Sequence, residues 1–166
     1  MRYLKLPLML LVLIITTSFT RDMREPDTHF TPLLIQKNDL AKSVFMQATQ
    51  EFEEPGKIYL YGSEIYIVDK YRGIHVIDNK DSTNPTKTGF IHIPGVMDVA
   101  IRDSVLYADN AVDLVAIDLR NYPKTSVISR LTDVFPEPLP PDLNRIPSRF
   151  NPSNRPKNTI IVGWYK

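Results

Sequence analysis

Four aspartates, Asp69, Asp78, Asp109 and Asp118, each end an aliphatic run and are the side chains whose spacing could do chemistry. Two carboxylates facing each other across a cleft suffice for glycoside hydrolysis, one as acid and the other as base or nucleophile. At strand ends the same groups have a simpler task, accepting backbone N–H bonds and fixing a turn, and the pattern favours this structural role. Asp78-Asn-Lys-Asp-Ser-Thr-Asn84 has enough oxygens to suggest calcium, but Lys80 occupies the third position and no glycine and late glutamate follow, so the EF-hand spacing fails. His29, His75 and His92 form no His-x-x-x-His ligand pattern. There is no G-x-S-x-G elbow, phosphate-cradling loop or dinucleotide fingerprint, and six glycines leave little room for one. No catalytic residue, metal or cofactor is therefore expected.

The aromatic residues suggest binding instead. Tyr59, Tyr61, Tyr66, Tyr71 and Tyr107 cluster among the aliphatic runs, and Trp164 lies near the last residue. Such side chains supply large contact area at low entropic cost, as a carbohydrate- or protein-binding surface requires. Strands also favour aromatics for packing alone.

The elements that must position these residues repeat. Ile65 to Asp69 with Gly73 to Asp78 is echoed by Val105 to Asp109 with Asp113 to Asp118, an offset of 40 that lays Asp69 on Asp109 and Asp78 on Asp118. Short runs of Val, Ile and Tyr with period-two character, bounded by Gly, Asn, Asp and Pro, predict strands. They fall at 57–61, 64–68, 73–77 and 87–93, then at 97–101, 105–108, 114–117 and 126–131. Four antiparallel strands in forty residues is the size of one propeller blade. The expected organisation is therefore all-β, with two four-stranded blade-like units at 56–95 and 96–135.

Outside the repeats, Arg2 and Lys5 precede the apolar run Leu6 to Ile15, which gives way to polar Thr16–Thr20, the parts of a secretory signal. Ser18-x-Thr20 suits cleavage poorly, so residues 1–20 read as a signal peptide or an uncleaved anchor. Residues 21–55 read as a leader over a sheet edge, with a short helix capped at Asn38-Asp39 and running through Leu40, Val44, Phe45 and Met46. Prolines dominate 136–158, a surface loop, and 159–166 forms one terminal strand. A net charge of +1 with scattered Lys and Arg argues against a nucleic-acid partner. The chain has no cysteine, which excludes disulfides and thiolate chemistry.

Gly73-Ile-His-Val-Ile-Asp78 with Thr83-Asn-Pro85, and Leu114-Val-Ala-Ile-Asp118 with Tyr122-Pro123, resemble the LVIVD repeat. The stretch Glu54 to Pro136 is similar to the N-terminal part of LVIVD-repeat proteins of the bacterial cell envelope. The resemblance implies an exported, non-enzymatic, propeller-like protein that binds or acts as a scaffold. Its partner would be an envelope protein or glycan, or a second copy meeting open sheet faces, and it would touch the membrane only through an uncleaved N-terminus. The lipoprotein cysteine common in that family has no counterpart here. An exported hydrolase using strand-end carboxylates, or a truncated piece of a larger propeller, are the alternatives. Two blades and a strand cannot close a ring, which takes about four to eight blades. An open face of roughly 400 Å² forgoes on the order of 10 kcal/mol of burial, so leader and tail are expected to cover the two stacked units.

Overall fold

A computed structural model describes residues 27–166, and the N-terminal signal or anchor expected at 1–20 lies outside them. The chain runs β1 (Thr31–Gln36), a single helical turn α1 (Lys37–Leu40), β2 (Phe45–Gln47), β3 (Pro55–Tyr61), β4 (Glu64–Asp69), β5 (Gly73–Asp78) and β6 (Thr86–His92). It continues through β7 (Val99–Arg102), β8 (Val105–Asn110), β9 (Asp113–Asp118), β10 (Ser126–Leu131), a 3-10 turn at Ser148–Phe150 and β11 (Thr159–Tyr165). The fold is all-β. Sheet I has the order β2-β6-β5-β4-β3, sheet II the order β10-β9-β8-β7, and β1 pairs with β11 in a two-stranded ribbon, every pair being antiparallel.

The eight strands expected between 57 and 131 form, with β7 beginning at Val99 and β6 ending at His92. The helix expected through Val44, Phe45 and Met46 does not form. Only one turn, Lys37–Leu40, is helical; Asn38 and Asp39 lie inside it and no side chain caps it. The Ser43 hydroxyl then donates to the Leu40 carbonyl at 2.8 Å, and Phe45–Gln47 leaves as a strand against β6, Phe45 opposite His92 and Gln47 opposite Phe90. The exposed edge of β6 offers ladder partners that a short isolated helix could not match.

Period-two alternation gives each sheet two faces. The inner face of sheet I, carrying Tyr66, Val68, Ile74 and Val76, shares one core with Val99, Ile101, Leu106, Ala108, Val115 and Ile117 on the inner face of sheet II. Tyr59 and Tyr61 reach across the joint. The Tyr59 hydroxyl donates to the Ile101 carbonyl at 3.1 Å, and the Tyr61 hydroxyl accepts the Ser104 N–H at 3.0 Å. That N–H belongs to the tight β7–β8 turn, where Asp103 and Ser104 both take positive φ, as a hairpin of primed type requires.

The ladders correct the sequence superposition. Glu64 lies opposite Asp78 and Val105 opposite Asp118, so β4 corresponds to β8 at an offset of 41 while β5 corresponds to β9 at 40. The difference is one residue in the hairpin, Lys70–Arg72 in sheet I against Ala111–Val112 in sheet II. A one-residue slip reverses every side chain of a strand. Asp69 therefore corresponds to Asn110, and Asp69 and Asp109 face opposite ways.

The ribbon seats on the hairpin tips. Ile160 and Val162 of β11 form a second core with Leu40, Ala111 and Val112. Gly163 lies under the ring of Tyr71, whose backbone is left-handed (φ 64°), and a Cβ on Gly163 would fall 2.3 Å from the Tyr71 Cγ. Gly163→Ala is expected to destabilise the fold by about 1–3 kcal/mol through overpacking, read as a lower urea midpoint. In a Tyr71→Gly background the same substitution should cost much less, because the clashing ring is gone.

Candidate functional site

The four strand-end aspartates divide into two kinds. Asp78 and Asp118 each accept the backbone N–H two residues on, from Lys80 and Arg120, both at 2.9 Å, which is the side-chain turn that aspartate favours. The Arg120 guanidinium, bonded to Asp118 at 2.6 Å, and the Arg120 amide hold that carboxyl down at about 2. The loop between β5 and β6 closes on itself, Asp81 accepting the Thr83 N–H at 3.0 Å and its hydroxyl at 2.6 Å. Among the described residues no group of three or more His, Asp or Glu side chains is placed to hold a metal ion.

Asp69 is wholly buried at the tip of β4. It accepts the N–H groups of Glu54 at 2.6 Å and Glu53 at 3.1 Å, tying the segment that enters β3 to the β4–β5 hairpin. Arg72 bonds it at 2.7 Å and His75 Nε2 at 3.2 Å. Burial pushes this carboxyl up, but the two amides, His75 and Arg72 together outweigh burial and hold it below the ordinary carboxylate range. Burial drives the His75 imidazole the other way, below its usual value, against the pull of Asp69. The His75 ring is sandwiched by Phe52 at 4.1 Å and Phe90 at 4.8 Å between centroids, and its Nδ1 has no hydrogen-bond partner. Sheet II has a parallel clamp on its inner face. Arg130 Nη1 donates to Asn110 at 2.8 Å and to Asp113 at 2.7 Å, and Asn110 donates to the Pro94 carbonyl at 2.7 Å.

Asp109 faces outward from sheet II into an open cleft of about 420 Å³. The walls are largely apolar, with Met97, Ala100, Tyr107, Leu114 and Phe135 prominent. The carboxylate accepts the N–H groups of Asp98 at 2.8 Å and Met97 at 2.9 Å. Burial nevertheless pushes it above the ordinary carboxylate range, with nearby Asp98 adding to the rise. A concave apolar surface with one fixed polar group is the usual form of a small binding site.

The structure disperses the aromatic surface expected from sequence. Tyr66 is in the core, and burial pushes its phenol up; Tyr71 packs on Gly163. Trp164 is buried, donating its indole N–H to the Pro138 carbonyl at 2.8 Å and meeting Phe150 edge-on. Tyr59 and Tyr61 span the sheet joint, and only Tyr107 of the six reaches the cleft. Strand alternation decides this, since aromatic content alone does not report which face a residue takes.

Three clamps escaped the sequence reading. Besides Asp69–Arg72–His75 and Asp113–Arg130–Asn110, Glu137 pairs bidentately with Arg155 at 2.5 and 2.9 Å while accepting the Ile161 N–H at 3.0 Å, which latches the proline-rich loop to β11. The Arg72 and His75 spacing from Asp69 was a usable signal. Glu137 and Arg155 lie 18 residues apart in a loop with no periodicity to point at them.

No family model, curated protein or solved structure matches this chain.

Asp69→Ala strands two amides, Arg72 and His75, and is expected to cost more than about 2 kcal/mol, since an unsatisfied buried donor costs about 1–3 kcal/mol; equilibrium denaturation checks this. Because His75 binds its proton less tightly when folded, the folded chain holds fewer protons and loses stability as pH falls through the ordinary histidine value of 6.5. Asp69 adds a further loss below its ordinary value of 3.8. Thermal midpoints between pH 7.5 and 5 should therefore fall in the wild type and flatten in His75→Gln.

Proposed function

We propose that this chain is an exported, non-enzymatic, propeller-like protein of the LVIVD-repeat kind that works in the bacterial cell envelope by binding or as a scaffold. The observation that carries the reading is the cleft of sheet II, an apolar surface about 420 Å³ in volume left open at the end of two stacked four-strand meanders. The shared strand order of β3–β6 and β7–β10 supports a repeated blade-like unit, and the basic, apolar and polar N-terminal sequence supports export. The recurring aspartates support a non-enzymatic role, because each is engaged by backbone amides that it positions. An envelope protein or a glycan is the class of partner that an exposed tyrosine beside apolar walls would suit.

A hydrolytic reading rests on one observation, the raised Asp109 carboxyl in the cleft. Under it, Asp109→Asn abolishes an activity on a glycan or peptide substrate while leaving unfolding unchanged.

Crosslinked capture from envelope extracts tests the binding reading. The wild-type chain should recover one reproducible partner, and Met97→Ser with Phe135→Ser, at the cleft mouth, should lose it at least tenfold. Capture that ignores these substitutions, or hydrolysis that depends on Asp109, would overturn it.

A further inference from the structure

The joint between the two sheets has an asymmetry that the corrected register exposes. By ladder position, the buried inner face of sheet I (Tyr66, Val68, Ile74, Val76) corresponds to the outer face of sheet II (Tyr107, Asp109, Leu114, Ala116). Likewise the inner face of sheet II (Val99, Ile101, Leu106, Ala108, Ile117) corresponds to the outer face of sheet I (Ile58, Leu60, Ile65, Ile67, Ile77). The sheets therefore meet inner face of one kind on inner face of the other, and each outer face repeats the half-joint that the opposite sheet uses inside.

Exposure shows that part of each outer half is unpaired, although His75, the counterpart of Val115, is wholly buried beside Phe52, and Ala116 is also buried. Ile58 and Leu60 are 66% and 63% exposed, whereas their counterparts Val99 and Ile101 are 1% and 5% exposed. Tyr107 is 40% exposed, and its counterpart Tyr66 is 1% exposed. Apolar residues held so far out of contact on a sheet face mark an interaction surface.

We propose that the chain stacks head to tail on a second copy of itself, the outer face of sheet II in one copy seating on the outer face of sheet I in the next. The occupant follows from continuity with the internal joint: each open face already finds its complement in the same molecule. This inference rests on the blade reading above and adds a second copy of the chain to the partner proposed there. Such an interface is heterologous, so it propagates until it closes. With two sheets per copy, rings of about four to eight blades correspond to roughly two to four copies.

Sedimentation velocity of the full chain over a concentration series is the first measurement, and the wild type should form dimers or larger closed species. Ile58→Asp with Leu60→Asp blocks one face, and Tyr107→Asp with Leu114→Asp blocks the other; each double variant should sediment as a monomer with wild-type circular dichroism and a cooperative melt. Mixed in equal amounts, the two should form a 1:1 complex that grows no further, because each supplies the face the other lacks. A wild type that stays monomeric, a blocked variant that still assembles, or a mixture that stays monomeric would overturn the proposal. Where an aspartate variant melts without cooperativity, single-cysteine chains replace it. Leu60→Cys and Ala100→Cys, in a chain with no other cysteine, should crosslink to each other through a short bismaleimide. Crosslinking of each only to itself would show a two-fold interface instead and overturn it too. A wild type that stays monomeric yet captures a partner through Met97 and Phe135 overturns self-stacking and leaves the binding reading standing. Because Ile58 and Leu60 lie outside the cleft, their variant should lose assembly with capture intact.

Discussion

The burial of one face of sheet I on the non-equivalent face of sheet II is the interaction on which the rest of this structure depends. Tyr66, Val68, Ile74 and Val76 of sheet I and Val99, Ile101, Leu106, Ala108, Val115 and Ile117 of sheet II bury one another in a single core. Close packing of this sort has no slack for a shifted strand. Contacts at its rim help to hold it in register. Tyr59 and Tyr61 bridge its open edge, and the ribbon of β1 and β11 rests on the hairpin tips.

Polar groups hold the hairpin tips of both sheets. Asp69 and Asn110 occupy equivalent positions at the tips of β4 and β8 and are both fully buried. Each gathers an arginine, Arg72 in one sheet and Arg130 in the other. A buried polar group left unpaired is expensive, so these clusters make the hairpin tips the places where an altered register would be penalised most. Their chemistry is that of specificity in folding. Asp109, on the opposite face of its strand from Asn110, sits where Val68 stands in sheet I, and it lines the open cleft.

Much of the fold was legible in the chain. The strands of 57–131 could be placed because Ile, Val and Tyr alternate between glycine- and aspartate-bearing turns. The faces could not, because they depend on a hairpin one residue shorter in sheet II, and an offset of 40 taken through β4 and β8 reverses their side chains. β1 and β2 were missed for another reason: each is a short segment whose partner lies far away, Phe45 opposite His92 and Thr31 opposite Tyr165. The candidate site was legible only in part. Asp109 stood out as a strand-end residue, but Met97 and Phe135 come from connections on either side of the sheet and meet it only in three dimensions.

The pairing of β1 with β11 sets an order of events during synthesis. Gln36 finds Thr159 and Thr31 finds Tyr165, so the first strand of the described chain must wait for the last. At bacterial or eukaryotic elongation rates of about 5–20 residues per second, that wait is on the order of ten seconds. The meanders of sheets I and II use neighbouring strands and can assemble as they emerge, whereas the ribbon is a long-range contact of the kind that forms slowly. Newly made chains therefore pass through a period in which an unpaired apolar strand trails from an otherwise assembled body, and during that period a chaperone or a protease has its clearest opportunity.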